Sequence, residues 1–437
     1  MKNIFVLLVA ITLATATAQS RCQSTPGLIL IPEALTLAQA EKIALQQNPH
    51  VQIAHLIALA EGQVRREAKA AYFPTLTGNL TAVDTHEGDR ITSGGLNNPV
   101  VYQRAAGGVA LSQLMTDFGR THALVSSADF QAKAAASNES ASHDDILLAV
   151  DEAFYHALAS QAILSVAQQT VAARQATADQ VRALTEAKLR SELDLSFANV
   201  DLQQAKLLLL NATNDNQESQ VALNALLGEE QPTIYTLVDE TQATPAPSPE
   251  DAAPLLQLAF QSRPDLAALH LQADSAKAFS HAERDLSRPT ISALGVAGDA
   301  PIRADQITTP WYGAVGVNMS VPLFNGGLFS ARAKEATLRA QAATQNVQQL
   351  RQAITRDVTD TVLDAQSGFQ RIDVSRQLLD QANSAFDLAQ TRYKLGLSSI
   401  VELSQAQLAQ TQAQIAYANA RYAYQQTLAA LRFQTGQ

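Results

Sequence analysis

Eight histidines and a single cysteine are the residues of this 437-residue chain best suited to metal or nucleophilic chemistry. Their spacing supports neither. No His-Glu-x-x-His or comparable ligand pattern occurs. His50 and His55 are five apart, a poor fit to one helical face. Asp117-Phe118-Gly119 copies a kinase triplet, but neither a glycine-rich loop nor a catalytic loop accompanies it, so it reads as a strand-to-helix turn. Asp144-Asp145 reads as solvated helix surface, and the glycosylation-type triplets at Asn79, Asn138, Asn211 and Asn318 are short enough to arise by chance. No enzyme, metal or cofactor is expected. Two acids stand out instead, because they hold equivalent places in two copies of one motif: Asp194 in Ser191-Glu192-Leu193-Asp194-Leu195-Ser196 and Glu402 in Ser399-Ile400-Val401-Glu402-Leu403-Ser404. Each follows a serine by three residues at the start of a helical pattern, where the helix dipole stabilises a carboxylate.

The elements that position these acids are themselves duplicated. The motifs lie 399 − 191 = 208 residues apart, and Asp117-Phe118-Gly119 matches Asn325-Gly326-Gly327 at the same offset. Pro49 and Phe73-Pro74 match Pro264 and Arg288-Pro289 at 264 − 49 = 215. One change of length between landmarks means two copies of one structural unit.

Composition bounds what the units are. Aromatic residues make up 5% of the chain and charged residues 16%, with Ala and Gln supplying much of the bulk, which favours long helices packed through small side chains. A net charge of −10 argues against a nucleic-acid partner. Lys2 followed by the apolar run Ile4 to Leu13 and by Ala16-Thr17-Ala18 reads as a signal peptide over 1–18, with an N-terminal tail over 19–34. Cys22 forbids an intrachain disulfide, and Arg21 before it argues against lipidation. No uninterrupted apolar run is long enough for a transmembrane helix.

The first repeat is expected over 35–238: a helical segment, a β-hairpin at 75–114, a long helix at 119–189 and a return helix at 191–227. A linker follows at 239–254. The second repeat, 255–437, has the same order, with a hairpin at 290–322, a long helix at 328–395 and a return helix at 399–433. Both long helices lack proline and could each extend about 100 Å. In the second return helix Val401, Leu408, Ile415, Tyr422 and Ala429 recur by seven beside a second apolar seam, so the helix has two neighbours. A closed ring of helices and an ordinary antiparallel bundle both satisfy that pattern.

The strands admit two readings as well. Thr75 to Ala82 and Ala314 to Val321 alternate in character, and Ala105 to Leu114 and Thr290 to Ala297 supply partners. They are either soluble hairpins capping a bundle or tilted membrane strands, with Tyr102, Trp311 and Tyr312 at their ends as interfacial aromatics. Four strands cannot close a membrane barrel, and an open edge is forbidden in lipid, so membrane strands would require several chains to share one barrel. A structural or adhesive helical trimer is the competing class of protein.

The order of elements, together with particular motifs, resembles the TolC-like outer membrane efflux protein family over essentially the whole mature chain. The motifs are Val321-Pro322-Leu323-Phe324-Asn325-Gly326-Gly327, the stretch from Tyr393-Lys394-Leu395-Gly396 to Glu402-Leu403, and Ala418-Asn419-Ala420-Arg421-Tyr422. The resemblance implies a mostly α protein with a small transmembrane β part. Three chains would form a channel-tunnel in the bacterial outer membrane: a shared 12-stranded β-barrel above a long α-helical barrel in the periplasm. It further implies passive export in a tripartite efflux or type I secretion system, with a periplasmic adaptor and an inner-membrane pump of RND, ABC or MFS type as partners. By the same resemblance Glu402 and Asp194 match acids of the periplasmic gate and Tyr393 its latch tyrosine, while Gln405 stands where a second acid often sits. Lys188, Arg190 and Ser191, with Gly396, Leu397, Ser398 and Ser399, form the tips expected to meet the adaptor.

Overall fold

The computed structural model describes residues 34–85, 103–229, 233–240, 251–302 and 309–437. The leader expected at 1–18, Cys22 and Tyr102 lie outside them.

The chain enters through a short strand, β1 (Ala34–Leu35), and helix α1 (Leu37–Gln47), which starts at a capping box: Gln39 N–H donates to Thr36 Oγ1, and Thr36 N–H donates to Gln39 Oε1. Pro49 ends α1 at Asn48, held extended at ψ 125°, and then opens α2 (Pro49–Ala70) from its first turn. The second half repeats the break: Arg263, extended at ψ 120°, separates α5 (Ala253–Ser262) from α6 (Pro264–Arg284) once β4 (Thr236–Leu237) has been passed. The single helical segment expected at the head of each half is therefore two helices. The pair β1–β4, parallel and two residues long per strand, had no counterpart in the sequence pattern.

Each half continues with a hairpin, a long helix and a return helix. The first has β2 (Thr75–Val83), β3 (Arg104–Thr116), α3 (Arg120–Glu186) and α4 (Glu192–Leu227). In the second, a 3₁₀ turn leads to β5 (Thr290–Ile302), β6 (Trp311–Ser320), α7 (Leu328–Lys394) and α8 (Ile400–Thr435). Helices α3 and α7 have 67 residues each, about 100 Å. Both begin behind glycines in left-handed conformation, Gly119 (φ 112°) and Gly327 (φ 87°).

The return helices close onto the proline breaks in the same way in both halves. Gly228 ends α4 at φ 81° so close to Gln47 that an added Cβ would meet its carbonyl oxygen at 2.7 Å; Gly436 ends α8 at φ 71°, where a Cβ would meet the Ser262 carbonyl carbon at 2.9 Å. The Asn48 side chain donates to Leu226 O (2.8 Å), and Arg263 donates to Gln434 O (3.4 Å), again 434 − 226 = 208 residues on. Two long antiparallel helix pairs result, α3 with α4 and α7 with α8, joined where α8 packs on α3 and where α6 lies between α3 and α7, with α2 packed on α3. The core is narrow and rich in alanine, as the composition led one to expect. One cluster lies where α1, α3 and α4 meet around Phe154, Leu158 and Leu223; another packs α5 and α6 on α7; the third is at the far end of the long helices.

The two hairpins form one antiparallel sheet in the order β2-β3-β5-β6. Strands β3 and β5 pair from Ala105↔Ile302 to Thr116↔Ile291, joining the halves, with irregularities near both ends. The sheet is open, with β2 and β6 as its edges.

Candidate functional site

At the far end of the long helices the two turns meet. Helix α3 stops at Glu186, and the chain reverses through Lys188, in left-handed conformation at φ 59°; helix α7 stops at Lys394 and reverses through Gly396 at φ 76°. Ser191 caps α4 and Ser399 caps α8, each hydroxyl accepting from the N–H of the duplicated acid, at 3.1 Å from Asp194 and 3.3 Å from Glu402. The acids then differ. Asp194 reaches back to Ser191 N–H (3.3 Å) and completes a capping box. Glu402 instead pairs with Arg392 on α7, 3.2 Å away.

Beneath the turns, Ala178 and Val181 of α3, Ala198 and Leu202 of α4, Ala389 and Tyr393 of α7, and Ile400 and Leu403 of α8 form one apolar cluster. All four long helices are thus packed together at the tip. Tyr393 is its largest member, 3% exposed, and its hydroxyl has no hydrogen-bond partner. Arg190 covers the ring with its guanidinium 4.6 Å from the centroid and donates to Tyr393 O at 3.3 Å. Burial raises the phenol's pKa; Arg190 pulls it back and Asp194 adds to the rise. Ser398 Oγ is likewise buried and unpartnered. Lys188, Ser191, Gly396, Leu397, Ser399 and Gln405 are exposed. The structure brings Glu402, Asp194, Tyr393 and the two turns into one neighbourhood. Arg190 and Arg392 are the members whose pairings sequence reasoning missed: the Arg190–Tyr393 contact spans 203 residues and no local pattern announces it.

The sheet at the other end has two chemically distinct faces. Residues paired across strands share a face, so Leu76 lies beside Leu111, Leu111 beside Gly295, and Gly295 beside Val315. Leu80, Val109, Val317 and Met319 belong to the same apolar face, and Leu80 and Val315 are each 92% exposed. Thr75, Thr77, Asn79, Thr81, Ser112 and Asn318 lie on the opposite face, which Leu294 and Val296 of β5 share. Trp311 stands on the apolar face; Tyr312 is on the other, lying across Gly108 and Gly298, where any added Cβ would come within 2.5 Å of its hydroxyl. Where strands and helices join, Phe73, Phe118, Leu323 and Phe324 are all exposed. Phe118 adopts φ 56° despite its side chain, above a tight turn in which Asp117 Oδ2 accepts from Thr121 N–H (2.7 Å) and hydroxyl (2.6 Å).

A four-stranded sheet with one apolar face is thus set on long paired helices whose turns meet at a common tip, the architecture of a β-sheet joined to a helical body. The chain belongs to the outer membrane efflux protein family, which it matches over residues 42–229 and 255–437. The solvent efflux pump outer membrane protein SrpC of Pseudomonas putida is 26% identical over 375 residues, 83% of this chain and 77% of SrpC. The outer membrane protein TolC of Escherichia coli is 22% identical over 399 residues, 88% of this chain and 78% of TolC. The crystal structure of a membrane protein from Pseudomonas aeruginosa matches the fold with a TM-score of 0.80 at 21% identity, over 92% of this chain and 93% of that one. The protein is an efflux channel component of the outer membrane. Among the described residues, no helix is long and apolar enough to cross a membrane.

Proposed function

We propose that three copies of this chain complete a twelve-stranded barrel in the outer membrane and a helical tunnel in the periplasm. Through it, an inner-membrane pump of RND, ABC or MFS type, coupled by a periplasmic adaptor, exports its substrate. The observation that carries this reading is the open sheet. Its apolar face is nearly bare and its outer strands lack partners among the described residues; in lipid each unpaired backbone group costs several kcal/mol, so the edges must be paired by other copies. The apolar face meets lipid, the polar face lines the pore, and Phe73, Phe118 and Phe324 rest at the periplasmic interface with Trp311 at the outer one. On α4, Leu193, Val200, Leu207 and Val221 recur at multiples of seven and are exposed, a seam suited to a neighbouring protomer.

In this reading the repeats over 35–238 and 255–437 each supply one hairpin and one helix pair, the linker at 239–254 joins them, and the leader at 1–18 is removed on export. The tip is the periplasmic entrance. Tyr393 under Arg190 holds it shut, and Glu402, Asp194 and Gln405 set its charge. Glu402 biases the entrance toward cations, an effect reduced by Arg392. Ser191, Ser399 and the turn residues Lys188 and Gly396 to Ser398 face the adaptor; undiminished adaptor capture by charge substitutions at Ser191 and Ser399 would remove that assignment. The reading as a whole is tested by reconstituting purified protein into planar bilayers. Ion-conducting channels are expected, and repeated failure to conduct would favour a non-conducting helical scaffold.

A further inference from the structure

One cluster of buried polar side chains belongs neither to the turns nor to the sheet. Arg174 of α3 is 7% exposed and Gln407 of α8 is 6% exposed, yet they meet directly, Arg174 Nη1 donating to Gln407 Oε1. The same nitrogen lies 3.2 Å from Asp201 Oδ2 on α4. Gln407 uses its amide to donate to Thr177 Oγ1 of α3 at 3.4 Å, and one turn farther from the tip the hydroxyls of Thr170 and Thr411 approach to 3.4 Å. Three helices, two from the first half and one from the second, are joined here by directional bonds.

The location gives the cluster its meaning. Toward the tip, α8 meets the first half through Ile400 and Leu403 of the apolar cluster, and apolar contacts allow sliding at modest cost. A buried guanidinium does not. Burial lowers its pKa, opposed by the Asp201 charge, so it is held in place by the two partners that compensate its lost hydration. Displacing α8 from α3 would strand Gln407 and leave Arg174 with Asp201 alone. Hydrogen bonds to charged groups are worth more than neutral ones, and an unpartnered buried polar atom is costly, so the arrangement favours one position of α8.

We infer that the Arg174–Gln407 bond, anchored by Asp201, is a positioning device for the entrance: it fixes α8 against the first half of the chain and thereby sets the closed resting state of the tip. The inference rests on the reading of the tip as the entrance. Arg174 touches no cargo; it acts through α8, which carries Glu402 and Leu403.

The test is single-channel recording in planar bilayers on the intact, detergent-purified protein, with heat resistance of the assembled protein measured in parallel. Gln407→Leu removes both bonds of this side chain, to Arg174 and to Thr177, while leaving the Arg174–Asp201 pair in place; Arg174→Met removes the Gln407 and Asp201 bonds of the guanidinium. Both variants should raise the share of open entrances about tenfold, the size that losing one hydrogen bond to a charged group implies. Heat resistance of Gln407→Leu should stay close to the parent's, which separates positioning from mere stability. If Arg174→Met fails to assemble, Gln407→Leu alone decides. Arg190→Ala is the control for the entrance itself. Gln407→Leu conducting like the parent while Arg190→Ala opens the channel would overturn this inference and leave the entrance reading standing. A parent already fully open and unmoved by Arg190→Ala would instead remove the entrance reading.

Discussion

In the edge strands of the sheet, β2 and β6, nearly every side chain is exposed on both faces, whereas at the tip the two halves of the chain bury a common core around Tyr393 and Leu403. The strands have the lengths and alternation of a finished wall but only a fragment of its circumference. The tip has a self-contained interior, held by Arg190 from the first half lying on a ring from the second. The contrast teaches where each part finds its stability. On the proposed reading the sheet depends on lipid and on other copies, so its defects should appear as failed assembly. The tip depends on contacts within one chain, so its defects should appear as altered gating of channels that still assemble.

The largest effect that could break this comparison is a charge on the apolar face. Val315→Arg, near the middle of β6, should cost about 2–4 kcal/mol in each copy and prevent recovery of assembled protein from outer membranes. Normal assembly would mean that this face does not meet lipid. Next, Leu403→Ala removes a buried side chain from the tip cluster at a cost of about 2–5 kcal/mol. It should loosen the tip, measured as faster protease cleavage in the turns at 187–191 and 395–399, with the sheet still assembled. Loss of assembly in this variant would show that the two regions are not separable.

A pH effect sharpens the comparison further, because it belongs to the helical body alone. Asp151 of α3 is buried beside Glu41 of α1, with Arg432 of α8 3.3 Å away and Glu152 of α3 nearby. Burial first, and Glu41 second, push its carboxyl up to about 7, above the ordinary 3.8. The folded protein therefore keeps a proton that the unfolded chain has already released. The stability contributed by this one group is fullest below about 4, falls as pH rises toward about 7, and levels off above it. Melting followed by circular dichroism should show a lower midpoint at pH 8 than at pH 5, and Asp151→Asn should flatten that difference. An unchanged slope in the variant would remove Asp151 from the account. The smallest effect concerns Glu402, whose charge is partly offset by an exposed partner worth at most about 1 kcal/mol. Arg392→Gln should increase cation preference and block by divalent cations, and Glu402→Ala should reduce both. Identical currents in both variants would leave Glu402 a helix-start acid and nothing more.

Much of the molecule was legible because the chain states it twice. Proline-free stretches bounded by Asp117-Phe118-Gly119 and Asn325-Gly326-Gly327 marked the long helices, and the duplicated serine–acid motifs marked the starts of α4 and α8. Strand alternation distinguished the apolar from the polar face, although it could not show that β3 pairs with β5, since nothing local encodes a partner in the other half. Pro49 and Pro264 were visible as punctuation; that they split each segment into two helices follows from the extended Asn48 and Arg263. Strands β1 and β4 are too short to carry a pattern. The tip was the least legible region. Arg190 and Ser191 are neighbours in sequence, yet one turns inward onto Tyr393 and the other caps α4. Asp194 and Glu402 occupy equivalent places and find different partners, because Arg392 is within reach of only one of them.

On the proposed reading, the strands of one chain are completed by those of identical chains. Native mass spectrometry of the detergent-solubilised protein tests it most directly. Particles containing three chains are the expected result, and particles of one chain, stable on dilution and under mild activation, would contradict it.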